Sequence, residues 1–284
     1  MDKKDKIKLY AICFLVLLNT LIWYVVYCED RRGILTVSFL DVGQGDAIFI
    51  DAPNGNQVLL DGGPDKSVLR QLSSAMPFYD RSIDLVALSH PHSDHTIGLV
   101  DILFRYSVLG FISSGTKAKT PEYISLKKEV SDLNIKDIVA RRGMKIDLGD
   151  GAIMDVLLPA EDVASSTPHD GMLVIKLNYG KTSFLFTGDM ENGLENYLAM
   201  SDGKNLKSDV LKVGHHGSRN STSELFLGLV SPEDAVISVG ADNKYGHPAN
   251  ETINILGNFG AQIFRTDKDG SVTIESDGEK MIVN

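Results

Sequence analysis

Along residues 9–28 the chain shows no alternation at all: LYAICFLVLLNTLIWYVVYC is apolar on every side and carries no charge. A helix rises 1.5 Å per residue, so a stretch of this length predicts a span of the bilayer core. Trp23, Tyr24 and Tyr27 crowd its far end, where aromatic side chains anchor at the interface, and the run is longer than the apolar part of a cleaved signal. Lys3, Lys4, Lys6 and Lys8 precede the span, whereas only Arg31 and Arg32 follow it closely. The excess of positive charge keeps residues 1–8 in the cytoplasm and sends residues 35–284 outside, after a charged linker over 29–34.

Beyond the linker the pattern changes to period two. Leu35, Val37 and Phe39 alternate with Thr36 and Ser38, as in a half-buried strand. Residues 47–51 and 57–61 read as two further strands, and Asn54-Gly55 between them is a strong hairpin signal. Helical spacing then appears at 68–76, 97–106, 123–133, 191–200, 223–230 and 251–259. Short apolar runs at 83–88, 154–158, 173–177, 183–187, 210–213, 235–239 and 262–265 lie between, and residues 267–270 before SVTIES predict a closing hairpin. Strands and helices mixed throughout, without a low-complexity linker or repeat, predict one domain of α/β layers over residues 35–284.

Composition narrows the chemistry. The only cysteines, Cys13 and Cys28, both belong to the apolar span, which removes thiolate metal sites and cysteine nucleophiles from the rest of the chain. The net charge of −10 disfavours broad, sequence-blind binding to nucleic acid, though not a small site made positive by bound metal.

Three of the seven histidines fall in one stretch, SHPHSDH, directly after the buried-strand pattern Asp84-Leu85-Val86-Ala87-Leu88. Irregular backbone after a strand can aim His90, His92, Asp94 and His95 at one small volume. Imidazole nitrogen and carboxylate oxygen are the ligands of zinc, manganese or iron. The other four histidines also stand at strand ends or in loops: His169 in HDGMLVI, His215 and His216 in LKVGHHGS, His247 in KYGHP. Asp189 ends the apolar run SFLFTGD, where an inward-facing acid needs a cation or hydrogen bonds to offset its desolvation. Asp41, Gln44 and Asp46, in the glycine-rich turn DVGQGD, read as structural.

These motifs carry a resemblance. HPHSDH is similar to the HxHxDH signature of the metallo-β-lactamase superfamily, and LLDGG, His169, TGD and the later histidines follow in that superfamily's order across residues 35–284. FLDVGQGDAIFI, VLKVGHHGS and YGHP further resemble the C-terminal domain of ComEC-type DNA-uptake channel proteins. His92 departs from the HxDxDH form often found there and is closer to binuclear zinc hydrolases; the multi-span channel is absent.

The resemblance implies a four-layer αββα sandwich, preceded here by one transmembrane helix, with two divalent metal ions at one edge, zinc first and manganese second. It implies His90, His92 and His169 on one metal and Asp94 and His95 on the other, with Asp189 bridging. His215 is the expected last ligand, with His247 its competitor. Asp94, His216 and His247 are the groups expected to act in the reaction, the histidines by contacting the phosphate or protonating the leaving group. Asp61 is expected to support the histidine loop, and Ser218 either to bind a phosphate oxygen or to cap a helix. The implied activity is a phosphodiesterase using a metal-bridging hydroxide, with DNA the first substrate. Choline-phosphate or other envelope phosphodiesters come second, and β-lactam hydrolysis or a non-catalytic module trail. No protein partner is inferable.

Overall fold

The computed structural model describes residues 2–29 and 33–284. Arg31, Arg32 and the middle of the expected linker lie outside the described residues, as do the side chains of Tyr27 and Cys28. Two units result, residues 1–32 and residues 33–284.

The first unit is a single helix, α1 (Lys3–Glu29), longer at its start than the apolar run because Lys3 to Lys8 are good helix formers. Its stretch Lys3–Val26 is long and apolar enough to cross a membrane, and none of it is buried in protein.

The second unit is built from two sheets. One runs in the order β15-β14-β1-β2-β3-β4-β5-β6 and the other β13-β12-β11-β10-β9-β8-β7. The first comprises β1 (Leu35–Phe39), β2 (Ile48–Asp51), β3 (Gln57–Leu60), β4 (Ser82–Leu88), β5 (Ser107–Ser113), β6 (Lys136–Val139), β14 (Val272–Ser276) and β15 (Met281–Val283). The second comprises β7 (Lys145–Gly149), β8 (Ala152–Leu158), β9 (Val174–Tyr179), β10 (Thr182–Phe186), β11 (Val210–Lys212), β12 (Asp234–Ile237) and β13 (Gln262–Arg265). Helices α2 (Ser67–Ala75), α3 (Ser93–Arg105) and α4 (Pro121–Asp132) pack on the first sheet; α5 (Asn192–Asp202), α6 (Glu224–Val230) and α7 (Asn250–Asn258) pack on the second. This is the four-layer αββα sandwich.

The continuous apolar runs follow from burial on both faces. Side chains alternate across a strand, so Ile48, Ile50, Val58 and Leu60 enter the core between the sheets while Phe49 and Leu59 enter the core under the helices. Phe39, Phe184 and Phe186 fill the inter-sheet core, and truncating one of these rings to alanine costs about 3–5 kcal/mol. β3 to β6 pair in parallel, as do β10 to β13, so their C-terminal ends and the loops beyond them carry the chemistry.

Three expectations are corrected, and three strands go beyond them. α3 begins at Ser93 rather than near residue 97, with His92 at its N-cap, so Asp94 and His95 belong to its first turn; an acid there is favoured by the helix dipole. Residues 267–270 form no hairpin: β13 lies in one sheet and β14 in the other, and a single helical turn, α8 (Thr266–Asp269), carries the chain between them. The closing hairpin is instead β14–β15. Ser218 is no helix N-cap: Ser223 holds that position on α6, and Ser218 only closes the short turn of residues 214–217. β5, β6 and β7 carry too little alternation to be read as strands beforehand.

Candidate metal centre

Six strand ends meet at one place. Leu88 of β4 leads to Ser89 and His90; Leu60 of β3 to Asp61; Phe186 of β10 to Asp189; Lys212 of β11 to His215 and His216; Ile237 of β12 to Ser238. β1 leads through the DVGQGD turn to Asp46.

At the centre lies Asp189, 2% exposed. Its Oδ2 stands 3.4 Å from His95 Nε2, 3.5 Å from His216 Nε2, 3.8 Å from His90 Nε2 and 3.9 Å from His215 Nε2. One carboxylate oxygen thus faces histidines from both sheets. Asp94, His95, Asp189 and His216 have ligand atoms within 4.8 Å of one another, and so do His90, His92 and Asp189. In the first group His216 Nε2 is also 3.3 Å from Asp94 Oδ2; in the second His90 Nε2 is 2.9 Å from His92 Nδ1.

His216, not His215, completes the group around Asp94 and His95. Both residues adopt left-handed backbone conformations (φ 46° and 53°), and this turn directs the two rings apart. His216 goes inward, where its Nδ1 lies 2.8 Å from Ser238 O. His215 goes outward and sets its Nδ1 3.1 Å from Glu191 Oε1. His247 joins neither group; its ring lies 5.5 Å from that of His215 and 6.5 Å from that of His216, on a loop held by Asn243 hydrogen bonds to His247 N and O.

His169 lies within reach of the expected group and of a second one. It stands on the turn before β9, its ring 4.7 Å from His92 and 5.0 Å from His215, and its ligand atom groups with those of Glu191 and His215. It sits between the two histidine sets because the turn, closed by Asp170 N and Gly171 N donating to Thr167 O, reaches the centre from outside.

A supporting layer surrounds these groups. Asp61 Oδ1 accepts Ser89 N at 2.7 Å and its Oδ2 lies 2.8 Å from His95 Nδ1, which fixes both the loop and the ring. Ser218 is buried, its hydroxyl accepting Asn220 N and its carbonyl accepting Thr252 Oγ1. Three further residues lie outside the sequence expectations for the site. Asp46, read as structural, is buried against the centre, 3.5 Å from His216 Nδ1 and 3.8 Å from His95 Nδ1. It pairs with the ammonium of Lys212, itself 1% exposed. The signal for Lys212 was in plain sight, a charge inside the apolar strand VLKV. Glu191 left no such signal. Asp41 and Gln44 do act as expected, bonding Gly43 N and Gly240 N.

The electrostatics describe a cluster that wants cations. Burial disfavours charge on Asp189, yet His216 and His95 hold its carboxyl well below the usual range. In return, against burial, Asp189 lifts His216 to about 10, and Asp189 with Asp61 lifts His95 well above its ordinary value. Asp94 is held at about 2 by the His216 ring, whose Nε2 lies 3.3 Å from its Oδ2, and by the charge of His95, again against burial. Burial pushes His90, His92, His215 and His247 down, toward the neutral form in which an imidazole can ligate a metal. His95 Nε2, His216 Nε2, His169 Nδ1 and Asp189 Oδ1 are buried without a hydrogen-bond partner among the described residues. Orphaned nitrogen and oxygen atoms converging at this spacing fit divalent cations, which would replace the protons on His95 and His216.

Residues 40–241 match the family described as the metallo-beta-lactamase superfamily, and the chain belongs to it. It is therefore a metal-dependent hydrolase of that superfamily, and it is similar to ComEC-type proteins: it is 30% identical over 273 residues to ComE operon protein 3 of Bacillus subtilis (strain 168), covering 88% of this chain and 34% of that protein. Competence protein ComA of Neisseria gonorrhoeae is 30% identical over 241 residues, covering 83% of this chain and 31% of that protein. The chain thus spans about a third of the length of the curated relatives it matches. Among solved structures, the metallo-beta-lactamase fold protein YhfI from Bacillus subtilis superposes with a TM-score of 0.57 at 12% identity, covering 85% of this chain and 100% of that one.

Proposed function

We propose that this chain is a membrane-anchored phosphodiesterase holding two divalent cations, zinc or manganese, and that DNA is its first substrate. The observation that carries the reading is Asp189 Oδ2, set within 3.4 to 3.9 Å of ring nitrogens from His90, His95, His215 and His216. His90, His92 and His169 would hold one cation and Asp94, His95 and His216 the other, with Asp189 between them. Two such cations acidify a water and neutralise charge building on a phosphate under attack.

The remaining work falls to the chain's own groups. Asp61 and Ser238 orient the rings of His95 and His216. His215, with its Nδ1 held by Glu191, and His247 stand beside the centre and can hydrogen-bond the phosphate or its leaving oxygen. Nucleic acid is favoured by Tyr245, 63% exposed and stacked on His247 at 5.9 Å with the rings 27° apart. An exposed ring beside the centre offers a face for a base, and the nearby Lys244 ammonium, 5.8 Å from that ring, suits the backbone. The names of the relatives point the same way: competence and, for a Haemophilus influenzae relative, recombination. The net charge of −10 favours instead a small envelope phosphodiester such as a choline-phosphate ester.

One assay separates these readings. Purified full-length protein loaded with Zn²⁺ or Mn²⁺ is given bis-p-nitrophenyl phosphate, single-stranded DNA and p-nitrophenylphosphorylcholine. Cleavage of the first two supports the proposal, cleavage of the third alone moves the substrate to envelope esters, and cleavage of none removes the phosphodiesterase reading. We place α1 across the membrane with residues 1–8 in the cytoplasm and the catalytic unit outside; C-terminal reporter fusions active only in the cytoplasm would contradict that placement.

A further inference from the structure

Lys212 is an anomaly in energetic terms. A lysine is almost never fully buried unless paired, and this one closes β11 between Leu211 and Val213, both in the core. Its ammonium has three donors. One meets Asp46 Oδ2, a second donates to Gly188 O at 2.9 Å, and the third direction leads to Asp189 Oδ1 at 3.8 Å. The Lys212 carbonyl in turn accepts Thr187 Oγ1 at 2.8 Å, and Lys212 pairs in parallel register with Phe186. The turn Thr187-Gly188-Asp189 is therefore clamped to the end of β11 from both sides.

The clamp has a consequence for Asp189. All four histidine nitrogens near it approach Oδ2, whereas Lys212 lies on the Oδ1 side. On the other side of the ammonium, Asp46 touches the Nδ1 atoms of both His95 and His216, which belong to the same group; no such contact runs to His90 or His92. Lys212 and Asp46 together are neutral, so they do not repel an incoming cation as a lone ammonium would. Asp46, Asp61 and His95 also lie close enough to hold an ion themselves, and the ammonium occupies Asp46 in that group.

We infer that Lys212 is a positioning residue of the metal centre: it stands as a built-in cation that neutralises Asp46, turns Asp189 so that Oδ2 alone serves both metals, and secures the Asp94, His95 and His216 position. This rests on the two-cation reading above. The asymmetry of the contacts predicts an asymmetric effect, confined to the cation beside His95 and His216.

The test is a titration of full-length, metal-stripped protein with Zn²⁺ against a chelator of known affinity, for wild type, Lys212→Met and the double variant Asp46→Asn/Lys212→Met. Removing one partner of a buried pair leaves a bare charge, whereas removing both does not, so the double variant keeps the test valid if Lys212→Met alone fails to fold. Wild type is expected to bind two equivalents. In the double variant the affinity for the second equivalent should fall about 10- to 100-fold, the range for lost supporting contacts, while the first stays within about twofold. Two equivalents bound as tightly as in wild type, or both weakened alike, would overturn the inference and leave Lys212 a packing residue. Fewer than two equivalents in wild type would instead defeat the two-cation reading itself.

Discussion

Two stretches of chain bring histidines to Asp189, and they do so by opposite means. Residues 89–95 follow β4 and run straight into α3; His90 and His92 sit in the entry, Asp94 and His95 in the first turn, and Asp61 ties the stretch together through Ser89 and His95. Residues 214–217 follow β11 and make a strained turn, with His215, His216 and Gly217 all at positive φ. Left-handed conformations of this kind cost about 1–3 kcal/mol each outside glycine and persist only where the surroundings enforce them. Here they are enforced by Ser221 Oγ donating to Gly214 O, Ser218 N to His215 O and His215 N to Gly188 O. The first stretch places its side chains by regular secondary structure, the second by strain held in a web of hydrogen bonds.

The largest effect should come from the residue both stretches share. Asp189→Asn removes the anion that faces both histidine sets, and metal analysis should show both equivalents lost, with activity on bis-p-nitrophenyl phosphate at background. Retention of two equivalents would show that the stretches hold metal independently.

Next comes the division within the strained turn. His216→Ala should reduce bound metal from two equivalents to one, while His215→Ala should keep both and lower kcat without changing metal content. Equal metal loss in the two variants would mean that the turn does not separate the rings as its φ angles imply. Gly217→Ala attacks the same turn through its backbone: a Cβ there would meet Pro248 Cβ at 2.6 Å at a φ of 79°. A loss of about 1–3 kcal/mol in chemical denaturation is expected, with the second metal equivalent weakened and the first spared.

In the regular stretch the matching probe is Asp61→Ala, which leaves the ligands in place and removes their support. Metal affinity should fall about 10- to 100-fold by chelator competition, with α3 intact by circular dichroism. The smallest effect is expected at the rim. Tyr245→Ala should raise KM for single-stranded DNA about tenfold, the weight of one base stacked on an aromatic ring, and leave bis-p-nitrophenyl phosphate unchanged. Equal KM values on DNA would remove Tyr245 from substrate binding.

The same contrast explains how much could be read from the chain. His90, His92, Asp94 and His95 are legible because a helix start keeps them within six consecutive positions after an apolar strand. Asp189 is legible as an acid ending an apolar run, and the layered fold follows from apolar runs too continuous for a one-faced sheet. What was not legible depends on backbone angles and long-range neighbours. His215 and His216 are adjacent and chemically identical, and only two left-handed residues decide which one turns inward. Asp46 lies in a turn whose glycines explain it well enough locally, and its importance comes from Lys212, 166 positions away in the chain. Glu191 becomes visible only once β10 and β11 lie side by side. His169 stands on an independent turn, so its order in the chain fixes no distance.

Anomalous diffraction at the metal edge, from crystals of the zinc-loaded protein, addresses the central claim most directly. Two peaks flanking Asp189 Oδ2 are predicted, one among His90, His92 and His169, the other among Asp94, His95 and His216, with His215 still against Glu191. A single peak, or a second peak bound by His215 with His216 turned away, would contradict the account.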